Sequence, residues 1–238
     1  NIDKIYEIKT ERGRIIKVTG PHKLLSFQKG LSWIPAGALK KGDIVAYPKL
    51  LSYDGEKTMD IDDAYFLGIY VAEGGKRSIS NSDTKIVSWV KEYIINKFGF
   101  EPSIAEDKRR EIICYNIGLR NSTRTILGGL LDTNSGSKYV PESVLLGNDE
   151  IVKSFLAGYL DGDGYLPEGD AIEISTHSKQ LAEELSYLLL RLGISCSYTT
   201  KKVDGETYNR LFVSGKDREL FNDLPFKLKK SFYKSRNS

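Results

Sequence analysis

Soft metal ligands and sulfur are scarce in this sequence. Its 238 residues include two cysteines, Cys114 and Cys196, and two histidines, His22 and His177. No Cys or His pair among them has the spacing of a structural zinc site, which excludes that class of site. The cysteines lie about eighty positions apart in apolar, strand-like segments. This pattern predicts buried free thiols rather than a disulfide framework.

Long apolar runs are also missing. The longest stretches, such as residues 185–192, are far shorter than a membrane span, and the first residues carry no signal-peptide pattern. We therefore expect a soluble intracellular protein without membrane contact. A hydrophobic fraction of 40% and an aromatic fraction of 11% predict a packed core rather than disorder.

The net charge is only +3, so composition alone does not indicate nucleic-acid binding. Positive charge is concentrated at the two ends: residues 1–50 carry ten Lys/Arg against four Asp/Glu, and residues 199–238 carry ten against five. For either segment by itself, a solvated face is the preferred explanation.

The first fifty residues have the pattern of a small β domain. Short β-branched runs alternate with turn signals such as Arg12-Gly13 and Thr19-Gly20-Pro21. The polar, turn-rich segment that follows is the best linker in the chain. We predict a β domain over residues 1–52, a linker over 53–62, and two halves over 63–148 and 149–238.

Beyond the linker the sequence repeats with a period near ninety. FLGIYVAEG at residues 66–74 returns as LAGYLDGDG at residues 156–164, so that Gly68 matches Gly158 and Glu73 matches Asp163. Each copy then leads into an amphipathic helix and a strand pair, with helices predicted over 85–98 and 179–192 and shorter ones over 123–131 and 217–222. Two such units predict a pseudo-twofold α+β molecule.

Placed on helices, the small residues of each copy lie on one face, which allows close packing of the two helices. Glu73 and Asp163 then occupy the last helical turns, where the helix dipole disfavours a carboxylate by ~0.3–1 kcal/mol. A divalent cation would compensate, with the carbonyls of Ala72 and Gly162 as further ligands, and Mg²⁺ is the natural candidate. The alternatives are ordinary solvated acids and a calcium loop. The loop fails at Tyr165, Leu166 and Ile172.

Both nine-residue segments resemble LAGLIDADG motifs, and residues 62–238 resemble a two-motif, monomeric homing endonuclease of the intein-associated kind. The first copy departs from the motif at Val71. The resemblance implies two αββαββα-like halves with saddle-shaped sheets. It also implies Mg²⁺-dependent cleavage of both strands of a long, asymmetric double-stranded DNA target, with Glu73 and Asp163 binding metal.

A Lys-x-x-Pro block beginning at Lys138 resembles the family block whose lysine assists catalysis, so the resemblance assigns that role to Lys138. For the second half Lys227, Lys229 and Lys230 compete, and we favour Lys229 and Lys230 together. Basic and polar residues of the predicted hairpins are candidates for DNA binding. In the first half these are Arg77, Lys108, Arg109 and Arg110, and in the second half Tyr198, Lys201, Lys202, Tyr208 and Arg210.

Residues 1 to about 50 resemble part of an intein splicing domain, with Thr19-Gly20-Pro21-His22 similar to the block that supplies a histidine. No nucleophilic Cys or Ser opens the chain and no His-Asn pair closes it, so we expect no splicing and interpret His22 as a structural remnant. A non-cleaving DNA-binding protein or an RNA maturase on the same scaffold is the alternative function.

Overall fold

The computed structural model describes residues 4–109, 112–163 and 171–228. Five short strands come first, in a two-stranded sheet β1-β2 and a three-stranded sheet β4-β3-β5. Their bounds are β1 Ile5–Lys9, β2 Ile15–Thr19, β3 Lys23–Phe27, β4 Leu31–Pro35 and β5 Ile44–Val45. The strands expected in this region are therefore present. The segment between β5 and the first long helix contacts the rest of the protein, because the Thr58 hydroxyl donates a hydrogen bond to the carbonyl of Ser143 at 2.6 Å.

The first repeat unit runs from α1 to α4. Its elements are α1 Ile61–Glu73, β6 Gly74–Gly75, β7 Ser78–Asn81, α2 Thr84–Phe98, β8 Ile104–Asp107, β9 Cys114–Gly118, α3 Arg124–Leu127 and α4 Glu142–Leu145. The strands form one antiparallel sheet in the order β6-β7-β9-β8. Helix α2 begins where the Asp83 side chain accepts from the amide of Lys85, and it ends at Gly99 with φ +69°. An acidic N-cap and a left-handed glycine at the C-terminus therefore define the two ends of α2.

The second unit repeats this order. Its elements are α5 Asp149–Asp163, β10 Ala171–Thr176, α6 Lys179–Arg191, β11 Ser197–Val203 and β12 Glu206–Ser214, and the sheet order is β10-β12-β11. Asp204 and Gly205 both have positive φ, as a two-residue hairpin turn requires. The described fold is thus the expected α+β arrangement of two similar halves preceded by short strands.

The short helices expected over residues 123–131 and 217–222 are corrected by the structure. Residues 121–132 form one α-helical turn, α3, between two 3₁₀ turns, and Gly215–Asp223 is a 3₁₀ helix. Gly128 with φ +50° interrupts the first segment, because a helix cannot continue through that backbone conformation. The cysteine expectation holds in part: both thiols are free, but only Cys196 is buried while Cys114 is partly exposed.

Helices α1 and α5 pack in parallel through the middle of the fold. A Cβ built on Gly68 would lie 2.1 Å from the Phe155 carbonyl oxygen, and one built on Gly158 would lie 2.1 Å from the Tyr65 carbonyl oxygen. Only glycine permits this backbone contact. Apolar side chains from both helices fill a core shared by the two halves. The predicted close approach of the two helices is therefore observed.

The N-terminal strands dock on the second half. The amide of Tyr198 donates to the Arg12 carbonyl at 2.8 Å, and the Arg14 guanidinium donates to Ser186 and to Cys196. A cleft of about 1100 Å³ lies beside these contacts, lined mostly by residues of the N-terminal region between Tyr6 and Tyr47, with Ser195 and Cys196 from the second half. In the described parts of the chain, no helix has both the length and the apolar character needed to cross a membrane.

Candidate active site

The two acids of the repeat lie at equivalent ends of the paired helices. Helix α1 ends at Glu73 and helix α5 ends at Asp163. The Cγ atom of Glu73 lies 3.3 Å from the point that a Cβ on Gly162 would occupy, and the Cβ of Ala72 lies 2.8 Å from the same point. The end of α1 therefore rests on the last turn of α5. The parallel packing brings both carboxylates to one end of the helix pair.

The two carboxylates have different surroundings. Glu73 is partly buried, and its Oε1 accepts a 2.9 Å hydrogen bond from the Nδ2 of Asn81, which is itself 7% exposed. Asp163 is exposed. The position matching Asn81 in the second unit is Thr176, so the same amide contact is not repeated from that position. Glu73 is therefore partly enclosed and hydrogen-bonded to Asn81, whereas the side chain of Asp163 is open to solvent.

Lys138 lies next to both acids. It is 9% exposed, and its Nζ donates to the carbonyl oxygen of Ala72 at 3.1 Å. Burial lowers the pKa of Lys138, and the negative charges of Glu73 and Asp163 partly oppose that lowering. The same charges raise the pKa of the buried Tyr159, although burial is the larger cause. The ammonium of Lys138 therefore interacts electrostatically with both carboxylates.

The donor set fits a hard divalent cation. Within the described residues, no group of three or more His, Cys, Asp and Glu side chains is arranged to hold a metal. Two carboxylates would have to be completed by carbonyl, water and phosphate oxygens, as Mg²⁺ commonly is. The carbonyl of Ala72 lies in the last turn of α1, where carbonyl oxygens accept no hydrogen bond from within the helix. Its oxygen has a second lone pair besides the one that accepts from Lys138, and that lone pair can face a cation.

The ammonium of the competing lysine Lys227 lies far from the acids. Its Nζ pairs with Asp62 and lies 4.9 Å from the ring centre of Tyr65 and 4.7 Å from that of Trp89. At ~1.5 Å per residue, Asp62 is roughly 16 Å along α1 from Glu73. The ammonium of Lys227 thus points toward the opposite end of the helix. Lys229 and Lys230 lie outside the described residues.

Strand alternation divides the candidate DNA-binding residues of the second half. In β12, Asn209, Leu211 and Val213 are buried, so Tyr208 and Arg210 lie on the opposite, open face. Cross-strand pairing places Lys201 beside Tyr208 on this face, but Lys202 and Tyr198 on the other. The hydroxyl of Tyr198 contacts Asn209 at 2.5 Å. The five residues therefore do not form one surface, because neighbouring positions on a strand point in opposite directions.

Several of these residues also have partners within the protein. Both Nε and Nη2 of Arg210 donate to the Glu173 carboxylate at 2.5 Å. The ring of Tyr208 lies 4.0 Å from that of His177. Arg210 can reach a base edge only if its pair with Glu173 opens. Lys201 is exposed on the same open face, so it can meet a ligand there without such a rearrangement.

In the first half, Arg77 is exposed in the turn before β7. Lys108 pairs with Glu106 at 2.8 Å, and Arg109 pairs with Asp107. Arg110 lies outside the described residues. The open face of this sheet also carries an uncharged polar pair, in which the Ser80 hydroxyl donates to the Asn116 side-chain oxygen at 2.5 Å. That pair and Asn81 were missed from the sequence, because a lone Ser or Asn on a strand carries no motif.

The described fold is that of the LAGLIDADG endonucleases. Residues 150–224 match the family model described as a LAGLIDADG-like domain. A crystal structure of I-DmoI in complex with DNA and Mn has the same fold, with a TM-score of 0.53 at 17% sequence identity. The similarity covers 69% of this chain and 97% of that chain.

Sequence relatives contain a similar segment inside much longer proteins. The chain is 29% identical over 238 residues to one of the subunits of the A-type ATP synthase of Pyrococcus abyssi, and the match covers 88% of this chain and 23% of the relative. It is 27% identical over 228 residues to the replication factor C small subunit of Thermococcus kodakarensis, and that match covers 90% of this chain and 25% of the relative. The chain thus spans about a quarter of the length of these curated relatives.

Proposed function

We propose that this chain is a site-specific DNA endonuclease that hydrolyses both strands of a long, asymmetric target with a divalent metal, Mg²⁺ in the cell. One observation carries the proposal: two carboxylates converge at the ends of two parallel, glycine-packed helices, with a buried lysine beside them. The fold supports it, because I-DmoI, which shares that fold, has been solved with DNA and Mn. No other constellation in the described residues carries comparable chemistry.

The residues have separate tasks in this mechanism. Glu73 and Asp163, together with the carbonyls of Ala72 and Gly162, would hold the metal, whose chemistry there would be to polarise the phosphodiester and make water a stronger nucleophile. Asn81 fixes the Glu73 carboxylate through its 2.9 Å hydrogen bond. The ammonium of Lys138 stabilises negative charge that develops on the phosphate. In the second half, Lys229 and Lys230 take the role that Lys138 has in the first half.

Target recognition uses the open faces of the two sheets, which enter the major groove. The protein acts as a monomer, so each sheet contacts a different half of the target. In the second half, Lys201, Tyr208 and Arg210 share that face. In the first half, the Ser80–Asn116 pair joins the exposed Arg77 as a candidate for base or phosphate contact. Because the two faces carry different residues, the target has unequal halves.

The context of the segment supports an intein-associated element. The two relatives, one from an ATP synthase and one a replication factor, have no common activity in their names, yet each contains a segment similar to most of this chain. A mobile insertion carried by different host proteins explains that distribution. The N-terminal strands then derive from a splicing domain, and their excess of positive charge lies along DNA that flanks the target. Unchanged affinity and salt dependence after deletion of residues 1–50 would contradict this last point.

Incubation of the protein with a randomised duplex library and Mg²⁺, followed by sequencing of cut ends, tests the proposed function. We expect a single family of long cut sites, and no cut ends when the metal is chelated. Asp163→Asn should abolish cleavage and still shift the selected duplex in a gel. Binding without cleavage by the wild-type protein would favour a DNA-binding protein, and tighter binding to a structured RNA competitor would favour a maturase.

A further inference from the structure

A second carboxylate lies two residues before Asp163 and has no part in the proposed mechanism. Asp161 is 2% exposed, and its Oδ2 accepts from the Tyr65 hydroxyl at 2.6 Å. The same oxygen accepts from the backbone amides of Lys227 at 3.1 Å and Leu228 at 3.3 Å. Asp161 therefore joins three parts of the molecule: helix α1, helix α5 and the C-terminal segment.

This junction breaks the symmetry of the repeat. The position that matches Asp161 in the first unit is Val71, an apolar residue that is 1% exposed. A buried carboxylate costs several kcal/mol unless donors surround it, so it persists only where its hydrogen bonds are made. Burial and the Asp161 carboxylate together keep the pKa of Tyr65 far above its ordinary value, so the phenol stays a donor. The contact is therefore a fixed anchor throughout the neutral pH range.

The corresponding segment of the first unit has a different anchor. The Ser178 hydroxyl, at the start of α6, donates to the Lys138 carbonyl at 2.6 Å. The Glu184 carboxylate accepts from the amide of Val140, also at 2.6 Å. Residues 138–140 and residues 227–228 are thus each held by side chains of another element. Among the hydrogen bonds of the described residues given above, the two sets of anchoring side chains have no member in common.

We propose that Asp161 is a positioning residue for cleavage of one DNA strand, and that Ser178 has the same task for the other strand. Asp161 fixes residues 227–228 beside the end of α5, and Lys229 and Lys230 follow directly in the sequence. Ser178 fixes the backbone of Lys138. This inference rests on the proposed endonuclease function. It adds that cleavage of each DNA strand depends on a different anchor, so that a change to one anchor can uncouple the two cleavages.

The test measures each strand separately. A supercoiled plasmid carrying the selected target, and the same target with either strand end-labelled, are cleaved by the wild type, Asp161→Asn and Ser178→Ala. Asparagine keeps the size of the side chain but weakens the acceptor for three donors. Because a misplacement near 1 Å costs about 100-fold in rate, we expect Asp161→Asn to slow one strand about tenfold to 100-fold more than the other. Nicked circles should accumulate. Ser178→Ala should slow the opposite strand.

A purely structural role would lower both rates together, so the strand ratio separates the two explanations. Equal slowing of both strands by Asp161→Asn, or slowing of the same strand by both variants, would overturn the inference. If Asp161→Asn does not fold, Tyr65→Phe removes one donor from the same oxygen and should give a smaller bias on the same strand. No bias in Tyr65→Phe would then overturn it. Failure of the wild type to cut any duplex would instead overturn the proposed function.

Discussion

The substitution Gly158→Ala tests whether the active site depends on backbone contact between α1 and α5. The new Cβ would lie 2.1 Å from the Tyr65 carbonyl oxygen, a distance that real Cβ atoms do not adopt. A main-chain carbonyl inside a helix cannot rotate away. The two helices would therefore have to separate by roughly 1 Å to restore ordinary packing.

The expected magnitude follows from two opposing effects. Alanine is favoured over glycine in a helix interior by about 1 kcal/mol. Overpacking of a tight core costs typically 1–3 kcal/mol, and more where the backbone must move. Because the backbone must move here, the upper figure of about 3 kcal/mol applies, and subtraction of the alanine gain of about 1 kcal/mol leaves an expected net loss of about 2 kcal/mol in the free energy of unfolding. Separation of the helix ends should also slow cleavage by about 100-fold, because the two carboxylates move apart.

Urea denaturation followed by circular dichroism gives the stability, and cleavage of the selected duplex gives the rate. Gly30→Ala is the matched control, because a Cβ at Gly30 meets no atom within 4 Å. It should change stability by no more than about 0.5 kcal/mol and leave cleavage unchanged. If Gly158→Ala behaves like this control, the reasoning about the helix contact is refuted.

Three further predictions concern Lys138, the three lysines between residues 227 and 230, and Arg191. Because burial lowers the pKa of Lys138, its ammonium loses its proton at a lower pH than an ordinary lysine, and cleavage should fall as the pH rises through that value. Lys138→Arg should shift this fall to higher pH in a rate profile. Lys138→Met should abolish cleavage, and its free energy of unfolding at neutral pH should be no lower than that of the wild type. The folded state binds the Lys138 proton less tightly than the unfolded state does, so the charge on Lys138 opposes folding at neutral pH. Lys227→Met should alter the cleavage rate by less than about threefold, whereas the double variant Lys229→Met/Lys230→Met should slow cleavage about 100-fold. A loss of cleavage rate in Lys227→Met as large as that in the double variant would contradict the placement of the Lys227 ammonium beside Asp62. Arg191→Met should lower the free energy of unfolding by about 2–5 kcal/mol, because the guanidinium donates to the carbonyls of Leu145 and Gly147 and these would lose their partner; a thermal melt equal to that of the wild type would contradict this.

The helix pair could be predicted because its signal is local and occurs twice. Small residues and an acid in the same register at residues 68–73 and 158–163 define both the packing face and the position of the carboxylate. The separation of Lys201 from Lys202 was also accessible, because side chains alternate along any strand. It was missed because charge was counted without regard to the face of the sheet.

Other features depend on tertiary contacts that leave no local pattern. The hydrogen bond from Asn81 to Glu73 depends on where β7 ends relative to α1. The docking of Arg14 on Ser186 joins positions 172 residues apart. Asp161 was visible as a residue of the second motif, but its partners come from α1 and from the C-terminal segment. Sequence reasoning therefore located the acids and not the groups that hold them.

The most direct test of the central claim is a crystal structure of the protein bound to its selected duplex in the presence of Mn²⁺, measured for anomalous scattering. We predict an anomalous peak at the ends of α1 and α5, within about 2.5 Å of carboxylate oxygens from both Glu73 and Asp163. A peak that contacts neither carboxylate, or carboxylates that turn away from the DNA, would contradict it.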